Sequence, residues 1–295
     1  MSEQVPVSSD AIVDLPHPDD GTHEIAHDLA YRRLAMVNVI FYGTPGCGDR
    51  QWVLIDAGVT GLTGRIDDAA EERFGAGARP AAIILTHGHF DHIGGLERLA
   101  EKWDAPIYAH DLERPYLNGT ASYPPPDPTV GGGIMPLLAP LFPRRPIDVS
   151  ARLHVLPADG SVPGMPGWQW LHTPGHTPGH VSLWRPADRA IIAGDAFITT
   201  NQSSAYAVAV QAPEMHGPPR YFTPDWALAR QSVVKLAALG PELVITGHGR
   251  AMRGPEMLSA LQLLARDFDK IAVPEGGRYV GNPARAADGT VYRQP

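Results

Sequence analysis

Cysteine is almost missing from this chain: Cys47 stands alone among 295 residues. No intramolecular disulfide can form, so the fold has to rest on its core, and a reducing compartment suits it. No apolar run approaches the ~20 residues that a membrane-spanning helix needs. Basic charge is scarce as well. Lys and Arg number 24 against 32 Asp and Glu, a formal net charge of −8. That balance leaves no broad basic face for phosphates and argues against a nucleic-acid binder. The first twenty residues carry Glu3, Asp10, Asp14, Asp19 and Asp20, and lack the basic start and apolar stretch of a signal peptide. The expectation is a soluble, acidic, cytoplasmic protein with no membrane or nucleic-acid partner. A hydrophobic fraction of 43% with 19% charged residues is ordinary for a chain with a real core.

What is present is a series of short apolar runs punctuated by glycine and proline. After a polar leader (1–30), Tyr31 to Tyr42 and Trp52 to Ile55 read as strands around a Gly/Pro-rich turn. Ala81 to Leu85, Leu153 to Leu156, Trp168 to Leu171, Val181 to Trp184, Ala190 to Ala193 and Leu243 to Thr246 are short enough to be buried strands. Helical spacing is expected over 65–74, 93–103, 224–239 and 255–271. Between Leu112 and Arg145, prolines and Gly131-Gly132-Gly133 break any regular element, while Ile134 to Phe142 is apolar. A long irregular segment of this kind is expected to pack as a lid or as a dimer interface. A Gly/Pro/Arg-rich tail (273–295) closes the chain.

The chemistry sits at the ends of the predicted strands. His87-Gly88-His89-Phe90-Asp91-His92 gathers three histidines and an aspartate directly after one of them. In an extended turn, alternation points His87 and His89 the same way, which suits two imidazoles on one ion. Asp91 and His92 come where the chain turns into the next helix and can face the same hollow. Pro174-Gly175-His176-Thr177, Gly194-Asp195 and Gly247-His248-Gly249 each place a ligand-type residue beside glycine just past an apolar run. Singly these are weak signals; together they converge on one rim.

His-x-His-x-Asp-His, then Pro-Gly-His-Thr, Gly-Asp and Gly-His, with the earlier Asp56-Ala57-Gly58, resembles the metallo-β-lactamase superfamily over residues 31 to 272. The resemblance implies an α+β fold, a four-layer αββα sandwich with the metal site at one edge of two sheets, and hence a single domain. It implies two divalent metal ions, zinc above all, with iron or manganese as alternatives. His87, His89 and His176 would hold one ion, Asp91, His92 and His248 the other, and Asp195 would bridge them. Asp56 would support a ligand by hydrogen bonding. His180, four residues past His176, is expected to serve the turn rather than a metal.

Two dications about 3.5 Å apart bring a shared water to hydroxide near neutral pH. The resemblance therefore implies a bridging hydroxide attacking an ester, thioester or lactone carbonyl of a small molecule, with Asp91 orienting it or passing a proton to the leaving group. Phosphodiester chemistry, or a non-catalytic metal-binding module, are the alternatives. Departures from known branches narrow the choice. His89 stands where flavodiiron-type oxidoreductases have Glu, and Asp195 where secreted β-lactamases of this type have Cys. Acyl-homoserine lactonases resemble this chain across Thr173 to His180 but carry a tyrosine three residues after the bridging aspartate. Here that position is Ile198, with Tyr206 as a candidate substitute. Basic and aromatic glutathione-binding elements are not evident in Ala196 to Asn201. Ile134 to Phe142, with Trp168, Trp170, Tyr206 and Trp226 as weaker candidates, is expected to line an apolar pocket.

Overall fold

A computed structural model describes residues 5–13, 21–130, 134–204 and 212–295. The apolar runs form two sheets. One comprises β2 (Thr22–Ala26), β3 (Leu29–Leu34), β4 (Val37–Tyr42), β5 (Val53–Ile55), β6 (Ala82–Ile84), β7 (Ile107–Ala109) and β8 (Leu153–Val155), hydrogen-bonded in that order. Its first strands are antiparallel, and β5 to β8 run parallel. The other, in the order β14-β13-β11-β10-β9, joins β9 (Gln169–His172), β10 (Val181–Arg185), β11 (Ala190–Gly194), β13 (Leu243–Thr246) and β14 (Met252–Arg253). A small antiparallel pair, β1 (Val5–Pro6) with β12 (Glu214–Met215), lies apart from both.

Alternation along these strands explains the layering. Val53, Ile55, Ile84, Val181, Leu183, Ile192, Leu243 and Ile245 share one buried cluster between the sheets. Their neighbours point outward. Leu54, Ile83 and Leu85 pack with Ile66, Leu96 and Leu99 of α1 (Thr63–Phe74) and α3 (Leu96–Trp103), while α2 (Phe90–Ile93) leads into α3. On the other side Ile191, Ala193 and Val244 pack with Trp226, Val233, Met257 and Leu261. Those four belong to α6 (Trp226–Ala238) and α7 (Gly254–Arg266), which follow α4 (Arg114–Leu117) and α5 (Ile134–Leu138) in the chain; α8 (Phe268–Ile271) comes last. Strands covered on both faces read as continuous apolar runs, which is why they lacked a polar side in the sequence. The result is the expected four-layer αββα sandwich.

Two of the expected helices are divided. Residues 93–103 split between α2 and α3 because the Gly94 and Gly95 amides donate to Gly58 and Ala57 carbonyls, at 2.7 and 3.0 Å, instead of to the preceding turn. Residues 255–271 divide at Asp267 into α7 and α8. In the polar leader Val5 and Val7 are buried, and β2 begins at Thr22. The tail has no regular element beyond turns, yet Val291 is buried, its carbonyl accepts from the Tyr116 hydroxyl at 3.1 Å, and Arg293 exchanges backbone hydrogen bonds with Ser122. Among the described residues, no helix is long and apolar enough to cross a membrane.

Candidate metal centre

The motif-bearing residues follow the C-terminal ends of β5, β6, β9, β11 and β13, so both sheets deliver them to one edge. His89 is extended (φ −66°, ψ 152°) and precedes α2, which carries Asp91 and His92 on its single turn. The loop between β9 and β10 supplies His176, the end of β11 Asp195, and the end of β13 His248.

The structure brings all seven sequence-predicted ligands together. Each is at most 7% exposed. Ligand atoms of His87, His89 and His176 lie within 4.8 Å of one another, as do those of Asp91, His92 and His248, and those of His87, His92 and Asp195. Asp195 stands between the groups: its Oδ2 is 3.5 Å from His176 Nε2, 3.7 Å from His92 Nε2 and 3.1 Å from His248 Nε2. His248 Nε2 is also 3.5 Å from Asp91 Oδ2, and the ring nitrogens His89 Nδ1 and His176 Nε2 face each other at 2.9 Å.

Satisfied polar atoms are the rule in protein interiors, and here the rule is broken at the centre. His87 Nε2, His92 Nε2 and Asp195 Oδ1 are buried with no hydrogen-bond partner. Unused lone pairs on imidazole and carboxylate, converging from several directions, are the donor set of a divalent cation. The residues present therefore fit metal ions.

Charge supports the same conclusion. Burial pushes the His87 and His176 imidazoles well below their ordinary range, and it pushes His89 down to about 3, which keeps them neutral as ligands must be. Burial also raises Asp91. For Asp195 burial acts upward, but His248 and His92 hold the carboxyl well below its usual range. Burial acts downward on His92, yet Asp56, Asp195 and Asp91 around it hold the imidazole well above 6.5. His92 thus sits amid the carboxylates of Asp56, Asp195 and Asp91, whose charge bound cations would offset.

The supporting shell is hydrogen-bonded throughout. Asp56, with φ of 60°, accepts from the Thr86 amide at 2.8 Å and hydroxyl at 2.7 Å, and lies 2.8 Å from His92 Nδ1. Thr86 Oγ1 is 3.1 Å from His87 Nδ1, and the Met36 carbonyl 2.6 Å from His248 Nδ1. His180 is buried beside His87, but its Nε2 accepts from the Asp195 amide and its Nδ1 meets Thr173 Oγ1, both at 2.9 Å. Neither nitrogen is left for a metal.

Two supporting residues were not anticipated. Asn38 donates from Nδ2 to the Thr246 and Gly249 carbonyls, at 2.9 and 2.6 Å, and grips the His248 loop from the opposite sheet. A polar residue inside the apolar run of β4 was its only signal. Glu113, in the irregular segment, is fully buried and bonded to both the Gly88 and Gly179 amides.

Beside His89 and His176 lies a small cavity walled by Tyr123, Pro124, Pro125, Tyr221, Phe222 and Tyr279. Phe142 joins this wall through Phe90 (5.3 Å between ring centroids) and Phe222 (6.2 Å). The rest of 134–142 does not reach it: Met135 and Ala139 pack behind Tyr221, while Leu137 and Leu141 face solvent. Trp168 stays in the core between the sheets, Trp226 in the outer cluster, and Trp170 beside His110. Tyr206 lies outside the described residues.

Comparison with known proteins agrees with this geometry. Residues 32–248 match the family model for the metallo-β-lactamase superfamily. The chain is 48% identical over 236 residues to the probable metallo-hydrolase YflN of Bacillus subtilis, covering 80% of this chain and 89% of that protein. Another B. subtilis protein, the probable metallo-hydrolase YybB, is 31% identical over 196 residues, covering 66% and 74%. Among solved structures, the Rm3 metallo-β-lactamase superposes with a TM-score of 0.58 at 19% identity, covering 84% of this chain and 91% of that one. A B3 metallo-β-lactamase with an active-site glutamic acid gives 0.56 at 19% identity, covering 89% and 91%. At such identities these likenesses speak for the fold alone.

Proposed function

Since the chain belongs to the metallo-β-lactamase superfamily, we propose that it is a dinuclear metal-dependent hydrolase of carboxylic ester, thioester or lactone bonds in small molecules. One observation carries this reading: seven buried ligand-type side chains at one sheet edge form three groups that overlap through His87 and His92, with Asp195 in the middle one. His87, His89 and His176 would hold one ion, Asp91, His92 and His248 the other, and Asp195 would touch both. Nitrogen and oxygen donors without sulfur favour zinc and also accept iron or manganese. When bound, the ions supply an activated water and an electrophile for a carbonyl oxygen.

The protein's own part is placement. The cavity beside His89 and His176 is only about 10 Å³, room for a single water, so its aromatic and proline wall would have to part to seat an acyl group by apolar contact. No Lys or Arg side chain lines that cavity among the described residues, which favours a neutral acyl group over a phosphodiester. Asp91, raised by burial and 3.5 Å from His248 Nε2, is suited to carry a proton to the leaving oxygen or sulfur. No serine or cysteine nucleophile is needed. Cys47 bonds weakly to the Gln51 carbonyl at 3.5 Å in a turn against the α1 side of the core.

The test is turnover of the metal-loaded protein on a panel of aryl esters, thioesters, lactones and bis-aryl phosphodiesters. Hydrolysis of at least one acyl class is expected. Turnover of phosphodiesters alone overturns the acyl assignment.

A further inference from the structure

Glu113 lies outside the seven ligand-type residues, at the end of the short turn Asp111–Glu113 that opens the irregular segment. Its two carboxylate oxygens are spent on opposite loops. Oε2 accepts from the Gly88 amide at 3.0 Å and from the Tyr123 hydroxyl. Oε1 accepts from the Thr177 hydroxyl and the Gly179 amide, each at 2.8 Å. Gly88 stands between His87 and His89, and Thr177 directly follows His176. One buried side chain therefore ties together the two loops, from different sheets, that carry the His87, His89 and His176 group. Space is kept for it. A β-carbon on Gly179 would stand 2.8 Å from Glu113 Cγ, and one on Gly88 would stand 2.8 Å from the Tyr123 hydroxyl oxygen. With four donors on its two oxygens, the carboxylate has no lone pair left for an ion.

We propose that Glu113 is a positioning residue: it fixes the distance of His87 and His89 from His176, and so sets the affinity of the three-histidine subsite for its metal. This rests on the two-ion reading above. Glutamine is a poor replacement, because one end of an amide only donates: either the Gly179 N–H would face a donor, or the Gly88 N–H would keep only the Tyr123 hydroxyl oxygen, 2.9 Å away.

The experiment is titration of the metal-free full chain with Zn²⁺ or Co²⁺ against a competing chelator. Bound metal is counted, the Co²⁺ ligand-field spectrum recorded, and folding followed by circular dichroism. The wild type is expected to take up two ions. Glu113→Gln should keep one at near wild-type affinity and bind the other roughly 10–100-fold more weakly, the usual scale for losing a ligand's supporting hydrogen bonds. Asn38→Ala, which loosens only the His248 loop, should weaken the opposite ion instead. A merely structural role would weaken both ions together. Thr177→Val, which removes one bond from Oε1, should give a smaller loss at the same subsite and decides the matter if Glu113→Gln does not fold. Wild-type affinity for both ions in these variants, or equal weakening of both, overturns the positioning role. A wild type that binds two ions while the variants behave so leaves the two-ion reading intact; a wild type that binds none overturns that reading and this one with it.

Discussion

Gly247 lies so close to Asp195 that a β-carbon built on it would stand 2.1 Å from Asp195 Oδ1 and 2.8 Å from His92 Cε1. The residue before His248 has to be glycine because the Asp195 carboxylate fills the space a side chain would take. Gly247→Ala should push Asp195 off its position without touching the two outer cores. Overpacking of this kind costs about 1–3 kcal/mol. Thermal unfolding should therefore shift by several degrees, whereas turnover should fall by at least two orders of magnitude. Turnover within twofold of wild type would mean that Asp195 is not held where the site needs it.

Asn38 fixes the other shoulder of the same loop. Asn38→Ala strips the Thr246 and Gly249 carbonyls of their donor inside the core, at a cost of roughly 1–3 kcal/mol for the buried groups left unpaired. A fall in unfolding midpoint, together with weaker metal retention on dialysis against chelator, is the expected pair of results.

Asp91 is assigned both a metal contact and a proton. Asp91→Asn keeps the shape and removes the titrating group, so the fold should survive and kcat should fall by about 10²–10⁴. Unchanged kcat with a lowered metal content would assign Asp91 to metal binding alone.

His216 supplies a pH signature away from the ligands. Burial, with Arg220 nearby, pushes its imidazole down to about 4, and its Nδ1 meets the Gly217 carbonyl at 2.9 Å. The unfolded chain takes up this proton near pH 6.5 and the folded chain only near 4, so the unfolded state binds more protons between those values. The stability this group contributes is complete above pH 6.5 and is lost as pH falls toward 4, up to about 3 kcal/mol. Denaturant unfolding of the metal-free protein should show a steeper fall in stability over this window than His216→Gln does, since the other buried histidines titrate in both.

The sequence made the ligand-type residues legible because His87, His89, His176, Asp195 and His248 border glycine close after a short apolar run, and because four of the seven sit within six residues, His87 to His92. Strand positions were legible for a related reason: double-sided burial leaves runs such as Ile83-Ile84-Leu85 unbroken by polar residues. The break between α2 and α3 was not, since the apolar spacing of Ile93, Leu96 and Leu99 continues through a point where backbone amides are drawn to the loop after β5. Glu113 was invisible for a different reason. Its partners Thr177 and Gly179 are 64 and 66 residues away, and nothing local distinguishes it from a surface acid. The tail packs through scattered backbone hydrogen bonds, which leave no periodicity to read.

The proposed activity requires seven side chains to enclose two cations. Its most direct test is elemental analysis of the purified chain after metal-free preparation and reloading with zinc, iron or manganese, alongside His89→Ala. Two equivalents per wild-type chain and a clear loss in the variant are predicted; a wild type that retains none of the three metals would contradict it.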